Sequence, residues 1–230
     1  MNAKNGTITP ATLAFLKDLE KHNDRDWFLA HKDRYLVALE NMRNFADAWI
    51  ERMNKHDRIE TPSGKDALRR IYSDQRFHKD RPPYRTYFGG RLVRQKPALR
   101  GGYYFRITPG ASFIACGFFD PEAADLKRLR MDILYDHETW QRLLKGKALR
   151  TYLGTLEGKQ LKTAPRDFPK DHEAIDLLRH TQFLFQRSFT DKEVLAPGFV
   201  DVVNTAYKSV RPFFDHLSEV LTTDENGNPL

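Results

Sequence analysis

The sequence predicts an α+β fold, with a curved antiparallel sheet from the central and late segments packed with N-terminal and C-terminal helices. Apolar residues recur at helical spacing over the first fifty-odd positions and again beyond residue 121. Between them, residues 86–119 are aromatic and β-branched and are punctuated by glycine and proline. Helices, then meandering strands, then helices again point to segregated α+β and not to alternating α/β.

Residues 9–21 open on Thr9-Pro10, a helix start signal, and set Leu13, Phe15, Leu16 and Leu19 on one face. A second helix starts at Asn23 or Asp24, either a good N-cap, with Trp27, Phe28 and Tyr35 as its apolar contacts. A third covers about 36–55 through Leu39, Met42, Phe45, Ala46, Trp49 and Met53, and Pro62 and Gly64 mark the loop that follows. Strands are expected over 86–94, 102–108 and 112–119, the last two joined at Pro109-Gly110, which suits a type II turn. Glycines 89, 90, 101, 102 and 117 predict bulges or close backbone approach. Asp120-Pro121 opens a helix to 135, and another stretch runs over 137–151. A strand and loop over 155–168, a short helix over 171–179, a strand over 181–189 and a last helix over 198–221 complete the reading. The division expected is a flexible N-terminus over 1–8, a single α+β domain over 9–221 and a disordered tail over 222–230.

The chain has 230 residues, 40% of them hydrophobic and 30% charged, values of an ordinary globular protein. Its longest apolar stretch, Phe113 to Phe119, is broken by a glycine and falls far short of the ~20 residues a bilayer span needs. Met1 to Pro10 lacks the apolar core of a secretory signal, and Cys116 is the single cysteine, so the expected location is cytoplasmic with no membrane association. The net charge is +7, and from Arg69 to Arg106 eleven Lys and Arg stand against Asp74 and Asp80 alone. The positive excess is therefore central, which points to an anionic partner or to a solvated, charge-solubilised surface.

The densest polar constellation runs from Arg70 to Arg85. If residues 68–77 are extended, Arg70, Tyr72, Asp74 and Arg76 share one side, with Ile71, Ser73, Gln75 and Phe77 on the other. Arginine suits bidentate recognition of carboxylate or phosphate, so Arg70, Arg76, Lys79 and Arg85, joined by Asp74, Tyr84, Arg25 and His172, form the candidate ligand site. The competing reading is that Asp74 simply pairs with Arg70 and Arg76. Pro82 and Pro83 make the following turn rigid.

Tyr84, Tyr87, Tyr103 and Tyr104 interleave with Arg85, Arg91, Arg94 and Arg106, the mixture a single-stranded nucleic-acid platform uses. Asp171-His172 reads as a helix cap with a solvated imidazole, or as a general base or anion contact. Trp27, Trp49 and Trp140 read as core anchors, and Cys116 as core. No H-E-x-x-H, no Walker phosphate loop, no G-x-G-x-x-G and no G-x-S-x-G occurs. No metal and no cofactor is expected.

Four blocks resemble a known family, that of domain of unknown function 2461, over about residues 10–220. They are Asn23 to Phe28 with Lys32 to Tyr35; Arg70-Ile71-Tyr72, Asp74, Arg76-Phe77, Lys79-Asp80, Pro83-Tyr84 and Thr86; Gly102-Tyr103-Tyr104 with Pro109-Gly110; and Ala164-Pro165, Phe168 and Asp171-His172. Ser73 stands where the family often has arginine and His78 where it often has serine, which removes one arginine from the centre of any anion site. The resemblance implies an α+β fold and no established activity, substrate or cofactor. The expected function is binding of an anionic small molecule through the central Arg/Lys cluster. The alternatives are nucleic-acid binding, or a metal-independent enzyme with Asp74 or His172 as base beside the arginines. Oligomeric state has no signal in the sequence.

Overall fold

The computed structural model describes residues 5–74, 82–224 and 228. Among them the helices are α1 (Pro10–Lys21), α2 (Arg25–Ala30), α3 (Lys32–Met53), α4 (Gly64–Ala67), α5 (Ala123–Tyr135), α6 (His137–Leu144), α7 (Lys147–Leu153), α8 (Ile175–Leu178), α9 (Asp191–Leu195), α10 (Phe199–Ser209) and α11 (Arg211–Thr222). The strands are β1 (Phe88–Val93), β2 (Gly102–Ile107), β3 (Ser112–Phe118) and β4 (Phe183–Phe189), an open antiparallel sheet in the order β1-β2-β3-β4. The fold is α+β.

The chain divides into two compact units: residues 1–92, 104–114 and 188–204, and residues 93–103, 115–187 and 205–230. In the first unit α1 begins where Thr9-Pro10 predicts, and its start is tied to α3 by a distant side chain. The Asn41 side chain accepts from the Thr9 backbone at 3.0 Å and from the Thr12 hydroxyl at 2.7 Å, and donates to the Thr7 carbonyl at 2.8 Å. Thr7 and Thr9 are thus tied to Asn41 of α3, with Ile8 between them fully buried. At α2 the cap is Asp24, whose carboxylate accepts from the Trp27 backbone at 2.8 Å. The core of this unit is aromatic: Phe105 meets Phe45 and Trp49 edge-on, each with ring centroids 5.3 Å apart, and Phe45 stacks near Phe199 at 5.9 Å. Trp49 is fully buried, as its spacing predicts, whereas Trp27 is half-buried and stacked between His22 and His31.

The adjacent glycines Gly89 and Gly90 are explained by the two rings that follow each other on β2. A Cβ on Gly89 would stand 2.9 Å from the Tyr104 hydroxyl, and one on Gly90 2.5 Å from Cε1 of Phe105. Successive strand residues face opposite ways, so the glycine pair clears a path for one ring on each face of the sheet.

In the second unit Trp140 is fully buried and its indole N–H donates to Asp132 at 2.6 Å. Arg94, read as part of a binding surface, is instead buried: it donates to the Arg100 carbonyl at 2.7 Å and pairs with Asp215 at 3.0 Å. A buried guanidinium is tolerated because its donors are met in this way. The helix expected over 198–221 is two helices, α10 and α11, separated at Val210 with Pro212 in the first turn of the second, a position where proline lacks nothing that a helix needs. The strand expected within 155–168 does not form; Glu157 and Gln160 only make single bridges to Leu184 and His180. No helix among the described residues is long and apolar enough to cross a membrane.

Candidate functional site

In the first unit residues 68–73 run antiparallel to residues 83–90 along the edge of β1. Leu68 bridges Gly90, the Arg69 N–H donates to the Gly89 carbonyl at 2.8 Å, and Tyr72 bridges Tyr84. The Ser73 N–H bonds the Pro83 carbonyl at 2.9 Å and the Arg85 N–H the Ile71 carbonyl at 2.7 Å. This pattern makes Tyr72 and Tyr84 a directly opposed pair with side chains on one face. Residues 70–74 alternate as the spacing predicts, with Ile71 buried and Arg70, Tyr72 and Asp74 exposed. Arg76 and Lys79 lie outside the described residues.

The same edge arrangement sorts the remaining site residues into two groups. Arg85, opposite in parity to Tyr84, turns away from it and its guanidinium donates to the Arg70 carbonyl. Arg85 thereby joins a second cluster, on the sheet face turned away from α3. There the guanidinium carbon of Arg106 sits 3.8 Å above the centroid of the Tyr87 ring, and that of Arg69 lies 5.7 Å from the Tyr104 centroid. Tyr104 tilts against Phe113 at 5.8 Å, and strand alternation puts exposed Arg91 on the face of Gly89. Burial pushes the Tyr104 phenol above its ordinary range and Tyr87 adds to this, while Arg69, Arg106 and Arg85 pull the other way. Their three charges are therefore felt at one half-buried hydroxyl. None of the ion pairs among the described residues involves Arg69, Arg70, Arg85, Arg91 or Arg106. The Arg106 Nε is buried and has no hydrogen-bond partner among the described residues.

Tyr84 belongs to the other group. Its ring is buried and stacks on Phe28 at 3.9 Å, with planes 13° apart, and its backbone is clamped by one side chain. Asn23 donates to the Tyr84 carbonyl at 2.9 Å and accepts from the Tyr84 N–H at 3.1 Å, acting as a piece of strand. Exposed Arg25 contributes charge at the Tyr84 phenol. Of the residues read as a nucleic-acid platform, Tyr84 and Tyr103 are buried with Arg94, while Tyr87, Tyr104, Arg85, Arg91 and Arg106 retain access to solvent.

A family model described as a conserved hypothetical protein, DUF2461, matches residues 11–216. The chain belongs to the DUF2461 family. No curated protein and no solved structure matches it. For this DUF2461 chain, the four blocks read from the sequence lie within the matched span.

His172 belongs to the second unit. Its Nδ1 accepts from the Ala174 backbone N–H at 3.1 Å just ahead of α8, whose N-cap is Ala174 and which has no side-chain cap, so neither Asp171 nor His172 caps it. Its ring meets that of His137 edge-on at 5.8 Å, and His137 faces Glu173 at 3.1 Å. No cluster of His, Cys, Asp and Glu among the described residues is arranged to hold a metal ion. Arg69 was not singled out by sequence reasoning. The signal that could have found it is the glycine pair opposite Tyr104-Phe105, which fixes where Tyr104 lies and hence which arginine reaches it.

Proposed function

We propose that the outer sheet face of the first unit binds an anionic small molecule carrying phosphate or carboxylate. One observation supports this above the rest: Arg69, Arg85 and Arg106 bring their charge to one half-buried tyrosine, without a carboxylate to neutralise them among the described residues. A protein gains little from holding three like charges together unless an anion completes the set, and guanidinium groups against aromatic rings are already partly desolvated and oriented. Thermal unfolding against inorganic phosphate, pyrophosphate and citrate tests the reading. An anion at about 100 times its Kd adds about 2.7 kcal/mol, and the gain shrinks in Arg69→Ala and Arg106→Ala. If no anion stabilises the protein, or the variants gain as much, the proposal fails.

A second reading, single-stranded nucleic acid, is favoured by the rings of Tyr87, Tyr104 and Phe113 on the same face as these arginines. Bases would stack on the rings while phosphates meet guanidinium groups. It requires oligothymidylate affinity that falls steeply with salt; no binding at about 50 mM salt removes it.

A further inference from the structure

The arginine face holds apolar surface as well as charge. The guanidinium carbon of Arg106 lies 3.8 Å above the Tyr87 ring and that of Arg69 lies 5.7 Å from the Tyr104 ring, while Phe113 tilts against Tyr104 at 47° with centroids 5.8 Å apart. All five residues belong to the first unit. Phe113 stands between fully buried Ser112 and Ile114 and is itself half-buried, so strand alternation turns it to the outer side that Tyr104 and Arg106 share. The outer side of an antiparallel sheet ordinarily carries polar residues. Phe113 has no polar atom to offer water or an anion.

The charge and the apolar surface meet along one side chain. Arg69, Arg106 and Arg85 act on the Tyr104 phenol, whereas Phe113 lies against the Tyr104 ring. A bare oxyanion is recognised by donors and charge, and a phenylalanine beside it contributes nothing to that. A flat aromatic group, by contrast, packs favourably on such rings and on a guanidinium plane. On the reading that this face binds an anion, we infer that its ligand is an aromatic anion, a phosphate or carboxylate carried on a flat ring. The charged end meets Arg69, Arg85 and Arg106, and the ring packs against Tyr104 and Phe113. Because both ends of the site lie along the one tyrosine, the charged group belongs at or next to the ring and not at the end of a long chain.

Isothermal titration of the full chain compares phenyl phosphate with methyl phosphate, and benzoate with acetate. Each pair keeps the charged group and changes only what it is carried on, and the two pairs tell a phosphate from a carboxylate. Wild type takes the aromatic member of at least one pair about tenfold more tightly than the methyl member. Phe113→Ala removes that preference while the methyl member binds as before, and Arg69→Ala weakens both members by the same factor. Unfolding midpoints are measured alongside. Should Phe113→Ala fail to fold, Phe113→Leu decides, since it keeps apolar bulk and loses the flat ring, and the preference shrinks. If the aromatic and methyl members bind wild type equally, the aromatic ligand is ruled out and the anion site stands without it. A preference that survives intact in the Phe113 variants also overturns the inference. If no member of either pair binds, the anion site itself fails, and the aromatic ligand with it.

Discussion

Gly89 and Gly90 offer the same chemical change at neighbouring positions with opposite expected outcomes. A methyl on Gly90 would lie 2.5 Å and 2.7 Å from Cε1 and Cζ of Phe105, and 3.3 Å from the Ala67 carbonyl. Phe105 is fully buried and held between Phe45 and Trp49, so its ring must shift by about an ångström against a close-packed wall. Overpacking of this kind costs about 1–3 kcal/mol, and loss of glycine's chain freedom returns about 0.5–1 kcal/mol. Gly90→Ala is therefore destabilised by a net of about 1–2 kcal/mol, or roughly 2–8 °C in Tm for a chain of this size. A methyl on Gly89 meets instead the Tyr104 hydroxyl at 2.9 Å and the Tyr87 ring at 3.2 Å, both half-buried and able to swing outward. Its steric cost is offset by the same gain in chain stiffness, and the midpoint stays within about 2 °C of wild type. Displacing Tyr104 disturbs the arginine face, so phosphate stabilisation falls in Gly89→Ala while Gly90→Ala retains it. Urea and thermal unfolding with and without phosphate read both effects. If Gly90→Ala is as stable as wild type, or Gly89→Ala loses as much stability, the two rings do not lie over these glycines and the account of the face is wrong.

Three other outcomes follow from the same geometry. Asn23→Ala removes both bonds to the Tyr84 backbone and destabilises by about 1–3 kcal/mol, with Asn23→Asp losing about half as much because it keeps the acceptor; urea unfolding measures both. Burial holds the His180 imidazole below its usual 6.5, with Gln160 at 2.7 Å on Nε2 and the Gln182 carbonyl at 3.0 Å on Nδ1. The unfolded chain then binds the proton first, so this contribution is present above pH 6.5 and lost as pH falls toward the lower folded value; His180→Gln flattens that part of the stability–pH curve. Burial pushes the Cys116 thiol far up, so a thiol reagent should label it no faster than the protein unfolds, and rapid labelling of the folded chain would contradict its buried place in β3.

Much of the fold was legible because the period changes with the element. The leucines and Phe15 of α1, the Asp24 cap of α2 and the glycine-punctuated strands each obey a local rule, and local rules need only neighbouring residues. Arg94 shows where this stops: its sequence neighbours read as basic and aromatic, and partners brought by the fold, among them Asp215 and the carbonyls of Arg100 and Phe214, make its burial tolerable. The residues of the candidate site were legible one by one but not in their grouping. Tyr84 and Arg85 are adjacent in sequence, yet a strand sends adjacent side chains to opposite faces, so one joins Phe28 and the other the arginine face. Asn23 was readable as a cap and nothing in its neighbourhood announces Tyr84, 61 residues on.

The positive excess between Arg69 and Arg106 therefore has two fates, and charge alone does not separate them. Arg94 and Arg100 are matched by Asp215 and Asp125 and serve the second unit, whereas Arg69 and Arg106 lie against Tyr104 and Tyr87. If binding rests on the diffuse positive field, Arg106→Lys keeps the charge and binds anions as wild type does. If it rests on oriented guanidinium groups, the lysine loses the flat contact with Tyr87 and the forked donor pair, and behaves much as alanine does. A single cation–π contact is worth about 0.5–2 kcal/mol, so Arg106→Lys should weaken phosphate binding about 2-fold to 30-fold with an unchanged salt dependence. Equal affinity for the arginine and lysine forms would assign the binding to net charge and leave the placement of Arg106 over Tyr87 without a role in it.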